Sequence, residues 1–216
     1  MSNNDALLSI LTRVPVIPVL TVEGAEDAVP LARALVAGGL TVLEVTLRTD
    51  GALKAIEAIA REVPEAIVGA GTILTESQIS EAMSAGATFL VSPGSTTKLS
   101  QAAALARAPF LPGVATASEA MSMAEMGHHV LKFFPAEPAG GVNYLKSLGA
   151  PLPHLTFCPT GGIDVIKAKS YLALSNVICV GGSWVTPASA IKAEDWTTIT
   201  TLAAETMALR PASSAS

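Results

Sequence analysis

Charged and aromatic side chains are both scarce in this chain of 216 residues. Asp, Glu, Lys and Arg make up 14% of it, and Phe, Trp and Tyr 4%. The 13 Lys and Arg residues are scattered without a basic run, and 18 acidic residues leave a formal net charge of −5. A surface that grips phosphate backbones and stacks bases needs the opposite balance, so nucleic acid is not an expected partner. Long hydrophobic runs are missing as well. The longest, such as residues 15–20 and 176–180, fall far short of the roughly 20 residues that cross a bilayer. The start, Met1-Ser2-Asn3-Asn4-Asp5, has neither the basic residues nor the apolar segment of a secretory signal. No membrane association and a cytoplasmic location are therefore expected. Cysteine is limited to Cys158 and Cys179, each inside an apolar segment, which predicts buried free thiols rather than a disulfide. Of the histidines, His128 and His129 are adjacent, and so point to opposite faces of a strand, while His154 stands in a proline-flanked loop. None has a partner at metal-ligand spacing, and neither a metal nor a cofactor is expected.

What remains is apolar. Half of the residues are hydrophobic and the mean hydropathy is +0.50, which suits a sheet covered on both faces. After a short amphipathic helix over residues 5–13, short apolar strands and alanine-rich helices alternate. Strands are predicted over 16–20, 42–47, 66–69, 88–92, 109–111, 130–134, 155–159 and 177–181. Helices are predicted over 23–37, 51–62, 76–85, 97–107, 117–126, 142–148 and 165–173. Eight such strands in one pass, with no linker, predict an α/β fold: a single domain over residues 1–216 forming a closed (β/α)8 TIM barrel, with the extra N-terminal helix across its bottom. An open doubly wound sheet would call for a Gly-rich phosphate turn after the first strand, and Thr21-Val22-Glu23-Gly24 is not one. A last amphipathic segment, 193–209, is expected to pack on the barrel, and 211–216 reads as a disordered tail.

Lys132 stands in the middle of the apolar stretch His129-Val130-Leu131-Lys132-Phe133-Phe134-Pro135. An ammonium on an apolar strand face is costly unless it is paired or gives up its proton, and a neutral lysine attacks carbonyl carbons. The alternative is a lysine that snorkels to the strand end. Glu44 interrupts another apolar strand, either as a structural ion-pair partner or as a proton carrier. Arg48, just past that strand, offers a planar fork for a carboxylate, or a salt bridge to Glu44. In a barrel, chemistry gathers at the carboxyl ends of the strands, and phosphate sites commonly follow the seventh and eighth. Gly161-Gly162 and Gly181-Gly182 stand in those two places, the second leading into Ser183. One Gly-Gly pair is more often only a turn; two in these positions point to a phosphate, and with a carboxylate clamp across the rim the ligand is expected to be a small phosphorylated acid.

The strand-end segments also carry a resemblance. Glu44-Val45-Thr46-Leu47-Arg48-Thr49, Gly69-Ala70-Gly71-Thr72, Ser92-Pro93-Gly94, Lys132-Phe133-Phe134-Pro135-Ala136, Cys158-Pro159-Thr160-Gly161-Gly162 and Gly181-Gly182-Ser183-Trp184 follow in order and at matching spacing. Over residues 10–209 the chain resembles the class I 2-keto-3-deoxy-6-phosphogluconate (KDPG) and 4-hydroxy-2-oxoglutarate (KHG) aldolases. The resemblance implies that Lys132 forms a Schiff base and that Glu44 is the general acid and base. It implies that Arg48 and Thr72 hold the pyruvate carboxylate, that Phe134 packs beside the lysine, and that Thr160 lies near the new carbon–carbon bond. Gly161, Gly162, Gly182 and Ser183 would seat the phosphate, and Pro93 and Gly181 complete the implied substrate contacts. It further implies a metal-independent, cofactor-free homotrimer. The substrate would be a small phosphorylated 2-keto acid cleaved to pyruvate and glyceraldehyde 3-phosphate, with KHG giving pyruvate and glyoxylate. A sugar-phosphate isomerase on the same barrel would use Glu44 as base and keep Lys132 as a charge. A phosphate-metabolite binding protein would not need the two together.

Overall fold

The computed structural model describes residues 3–209, and the expected alternation runs through all of them. In chain order the elements are α1 (Asn3–Leu11), β1 (Val16–Leu20), α2 (Ala25–Ala37), β2 (Val42–Thr46), α3 (Ala52–Glu62), β3 (Ile67–Gly71) and α4 (Glu76–Ser84). There follow β4 (Leu90–Val91), α5 (Thr97–Leu105), β5 (Phe110–Leu111), β6 (Gly113–Val114), α6 (Ala117–Glu125) and β7 (Val130–Phe133). The chain closes with α7 (Gly141–Gly149), β8 (Thr156–Pro159), α8 (Val165–Leu172), β9 (Val180–Gly182), α9 (Ala188–Lys192) and α10 (Trp196–Met207). The segment 211–216, expected to be a tail, lies outside the described residues.

All strand pairings are parallel, in the orders β5-β4-β3-β2-β1-β9 and β6-β7-β8. Two features join these rows into a barrel. First, β5 and β6 are halves of one stave, parted by Pro112. Proline brings no N–H to the ladder, but its carbonyl still accepts the Lys132 N–H at 2.8 Å. The stave pairs with β4 before the proline and with β7 after it. Second, β8 meets β9 through two isolated bridges, Phe157 to Val177 and Thr160 to Gly181. The result is a closed ring of eight staves. The fifth stave extends beyond the expected 109–111, and the eighth is regular only over Val180–Gly182.

The helices follow from local sequence. Thr75 with Gln78, and Thr116 with Glu119, form capping boxes that satisfy the first-turn donors of α4 and α6. In α3 the buried residues Ala52, Ala55, Ile56 and Ile59 recur at the spacing that lays one stripe against the sheet. Alternation along the strands divides the core. Val130, Cys158 and Cys179 belong to one apolar cluster, while Leu131, Phe133, Phe157 and Val180 pack among α6, α7 and α8 in another. Cys158 and Cys179 are buried free thiols with their Sγ atoms 3.5 Å apart. Among the described residues no helix is long and apolar enough to cross a membrane. The short α9, after Pro187, was not anticipated, and α10 begins three residues later than the expected 193.

α1 packs against the amino-terminal end of the barrel. Asn4 pins it there: its Nδ2 donates to the Gly127 carbonyl at 2.6 Å and its Oδ1 accepts the His129 N–H at 3.3 Å, just ahead of β7. Leu7 and Leu11 on this helix are fully buried. Leu11→Ala is expected to cost about 2–5 kcal/mol of stability in urea denaturation. A loss well under 1 kcal/mol would show that α1 only rests on the surface.

Candidate active site

Because the staves are parallel, Glu44, Gly71, Lys132, Thr160 and Gly182 collect at one end of the barrel. Lys132 on β7 and Glu44 on β2 point into the interior and meet there, Nζ donating to Oε1 at 3.3 Å. Their exposures are 4% and 3%, whereas the other ion pairs among the described residues lie at the surface. A buried ion pair seldom stabilises a fold better than apolar side chains of the same size, so its presence points to chemistry. Two neighbours define its surroundings. The Lys132 ammonium lies 5.3 Å from the centroid of the Phe134 ring, so it is held between a carboxylate and an aromatic face. Across from it, a methyl group on Gly71 would collide with the Glu44 carboxylate, so the carboxylate occupies space that only a glycine leaves open.

At the rim, Arg48 makes no salt bridge to Glu44. Its Nε donates to Thr72 Oγ1 at 3.1 Å, and the exposed guanidinium has no carboxylate partner among the described residues. The fork is thereby oriented and left available to an anion. Thr72 has φ +60°, a left-handed conformation that a β-branched residue adopts at a cost. Its neighbours hold it in place: the Leu47 N–H donates to the Gly71 carbonyl at 2.8 Å and the Ile73 N–H to that of Val91 at 3.0 Å. Strain fixed by such surroundings is typical of functional positions. Pro93 lies beyond β4, its backbone covering Gly113, which is the register partner of Lys132. Thr160 follows directly on β8, its N–H donating to the Phe133 carbonyl at 2.9 Å, and its hydroxyl fills the space that a side chain on Gly181 would need.

Beside the buried pair opens a pocket of about 260 Å³. Arg48, Phe134, Thr160, Gly161, Gly162, Gly181, Gly182 and Ser183 line it, so eight of the expected site residues form one wall system. Lys132, Glu44, Thr72 and Pro93 lie outside that lining, deeper or along the rim. Phe134 joins the two regions, since it borders the pocket and also faces the lysine. Gly161 and Gly162, with φ +108° and +77°, make a left-handed turn that other residues would enter only with strain.

Val19, Thr21 and Ile163 also line the pocket and were not anticipated. Thr21 Oγ1 lies 3.0 Å from Thr46 Oγ1. Since Thr46 spends its proton on the Leu20 carbonyl at 2.9 Å, the Thr21 hydroxyl donates to Thr46. The signal for Thr21 was its place directly after the first strand, a place set aside for lacking glycines. A wider groove of about 550 Å³ runs past Lys146, Leu155 and Asn176 at the other end of β8, but no buried charge adjoins it. Among the described residues no group of three or more His, Cys, Asp or Glu is placed to hold a metal.

Comparison with known proteins gives one answer. The aldolase family described as KDPG and KHG aldolase matches residues 7–202. The KHG/KDPG aldolase of Escherichia coli is 53% identical over 197 residues, covering 91% of this chain and 92% of the relative. The 2-dehydro-3-deoxy-phosphogluconate aldolase of Dickeya dadantii is 50% identical over 199 residues, covering 92% and 93%. Among solved structures, the KDPG aldolase of Legionella pneumophila, with pyruvate captured at low pH as a covalent carbinolamine, superposes with a TM-score of 0.91 at 46% identity. That match covers 93% of this chain and 98% of the other. The Zymomonas mobilis enzyme with 3-phosphoglycerate also gives 0.91, at 47% identity and 95% and 97% coverage. From the order of its staves to the segments at their carboxyl ends, this chain belongs to the KDPG and KHG aldolase family.

Proposed function

We infer that the protein is a metal-independent class I aldolase that reversibly cleaves KDPG to pyruvate and glyceraldehyde 3-phosphate, and KHG to pyruvate and glyoxylate. The observation that carries this reading is the buried contact of Lys132 with Glu44 at 3.3 Å, beside a pocket lined by the Arg48 guanidinium and by two glycine pairs.

The keto acid enters with its carboxylate toward Arg48 and the Thr72 hydroxyl, and its phosphate toward the Gly161-Gly162 turn and toward Gly182-Ser183 at the end of β9. Glu44 takes a proton from the Lys132 ammonium, and the freed amine attacks C2 to give a carbinolamine. The carboxyl returns the proton to the C2 oxygen, water leaves, and an iminium remains. That cation is the electron sink for breaking the C3–C4 bond. Glu44 accepts the C4 hydroxyl proton as the aldehyde departs, and the resulting enamine is protonated at C3. Water adds to the iminium, and its collapse frees pyruvate and restores the lysine. The covalent route divides one difficult cleavage into easier steps. Thr160, at the edge of the pocket, faces the aldehyde-derived carbon and influences which face reacts. Pro93 backs the lysine across Gly113, and Gly181 leaves Thr160 its place.

Two relatives support the assignment. The Legionella enzyme holds pyruvate as a covalent carbinolamine, the first intermediate of this route. The Zymomonas enzyme was captured with 3-phosphoglycerate, an acid that carries a carboxylate and a phosphate together. The family resemblance of the strand-end segments further implies a homotrimer, and a cytoplasmic location goes with it.

Reduction with borohydride in the presence of pyruvate is expected to add one reduced pyruvyl group, mapped by peptide mass to Lys132. Lys132→Ala removes both adduct and cleavage. Glu44→Gln keeps pyruvate binding but slows adduct formation about 10²–10⁴-fold. An active wild-type enzyme without the adduct, or with it on another lysine, defeats the class I mechanism and favours the isomerase reading.

Thr72 gives a second test, because its strain and its role pull in opposite directions. Thr72→Gly relieves a left-handed residue worth about 1–2 kcal/mol and adds about 0.5–1 kcal/mol of chain entropy to the cost of folding. Stability is expected to hold or rise slightly in urea denaturation, while the pyruvate concentration needed for half-maximal adduct formation rises about tenfold. A large loss of stability with unchanged pyruvate affinity would place Thr72 in the structural frame alone.

A further inference from the structure

Behind the Gly161-Gly162 turn, on the side away from the pocket, lies a network of side chains with no part in the aldol chemistry. Its centre is Glu137, half-buried in the loop after β7. The Tyr171 hydroxyl donates to Glu137 Oε1 at 2.7 Å, and Lys167 Nζ approaches Oε2 at 3.1 Å. The same ammonium donates to the Gly162 carbonyl at 3.0 Å. The Glu137 backbone N–H donates to the Gly161 carbonyl at 3.1 Å, and the preceding Ala136 N–H to that of Thr160 at 2.8 Å. The Glu137 stem also lies against the turn, since a methyl group on Gly162 would stand 2.9 Å from Glu137 Cβ.

Three successive carbonyls, of Thr160, Gly161 and Gly162, are thus tied to one wall. In a trans peptide unit the C=O and the following N–H point in opposite directions. Tying back the carbonyls of Gly161 and Gly162 therefore turns the N–H groups of Gly162 and Ile163 toward the pocket, which both residues line. Among the described residues neither N–H donates to another protein group. Two adjacent free N–H groups on a left-handed turn form a concavity for an anion.

We propose that Glu137 is the positioning residue of the phosphate seat: through its own N–H, through Lys167 and through Tyr171 it holds the Gly161-Gly162 turn with its N–H groups facing the pocket, without itself touching the substrate. The inference rests on the reading of this turn as the place where a substrate phosphate binds. Lys167 acts here as a tie, with its charge matched by Glu137, and not as a ligand of the anion. The Tyr171 hydroxyl bond, and then Lys167, hold the Glu137 carboxyl below its ordinary range, so it remains an acceptor to both partners around neutral pH.

The test compares substrates with and without a phosphate. In Glu137→Ala the KM for KDPG is expected to rise about tenfold with kcat kept, while the KM for KHG stays within about twofold. Inorganic phosphate, titrated by calorimetry against the pyruvate-free enzyme, is expected to bind about tenfold more weakly. Glu137→Gln, whose amide oxygen can still take the Tyr171 hydroxyl, should recover part of the loss. It also serves if the alanine variant folds poorly. Equal losses on KDPG and KHG would mean that Glu137 only supports the fold, and unchanged phosphate affinity would overturn the proposal outright. So would Lys167→Met losing the whole effect while Glu137→Ala keeps wild-type phosphate affinity, because Lys167 would then be a direct ligand. Failure of the aldolase reading is separate: it would show as a missing borohydride adduct in the wild type, whereas the calorimetry needs no turnover.

Discussion

One buried ion pair sets the terms for the rest of the molecule. Lys132 and Glu44 are each held almost completely out of water, and charges so placed are tolerated only with a partner in contact. The barrel meets that demand by bringing together two staves far apart in sequence, β2 and β7, and by keeping the space between them clear. Gly71 gives the carboxylate its room, Phe134 covers the ammonium, and Gly113 lies beside Lys132 in register with the backbone of Pro93 behind it. A side chain on Gly71 would displace the Glu44 carboxylate, and one on Gly113 would force the Pro93 backbone to move.

Around this centre the site is graded from buried to exposed. Lys132 and Glu44 lie deepest, Thr160 stands at the edge of the pocket, and Arg48 is open to solvent with its direction set by Thr72. That order suits a ligand whose anionic ends need diffusion and electrostatic capture, while its carbonyl needs a dry environment. The acidic net charge of the chain makes the exposed Arg48 fork more conspicuous, because few cations compete for an incoming anion.

Much of this was legible in the sequence, for physical reasons. Parallel staves buried on both faces are short apolar runs, so their order and their carboxyl ends could be read directly, and with them Glu44, Lys132 and both glycine pairs. What escaped depends on contacts between distant segments. Pro112 looked like the end of a strand, whereas the stave passes through it by changing partner. Arg48 had two equally reasonable partners on paper, and only the left-handed turn at Thr72 decides between them. Thr21 sits in an ordinary-looking loop and enters the site because the barrel closes beside it. Glu137 lies in the loop after β7 while Lys167 and Tyr171 sit one turn apart on α8, and no periodicity announces that these two segments meet. The helix α9 was missed because five residues carry too little pattern to distinguish a helix from a turn.

The join between β8 and β9 is an interrupted one. Here the staves meet through two separated bridges instead of a continuous ladder, and one of them is Thr160 to Gly181. The pocket lies across this seam, with Gly161 and Gly162 on one bank and Gly182 and Ser183 on the other. An anion bound there would act as a stitch between two edges that the backbone joins by two bridges. Were the site filled, occupancy and closure of the ring would be linked, and a saturated barrel would open less readily than an empty one.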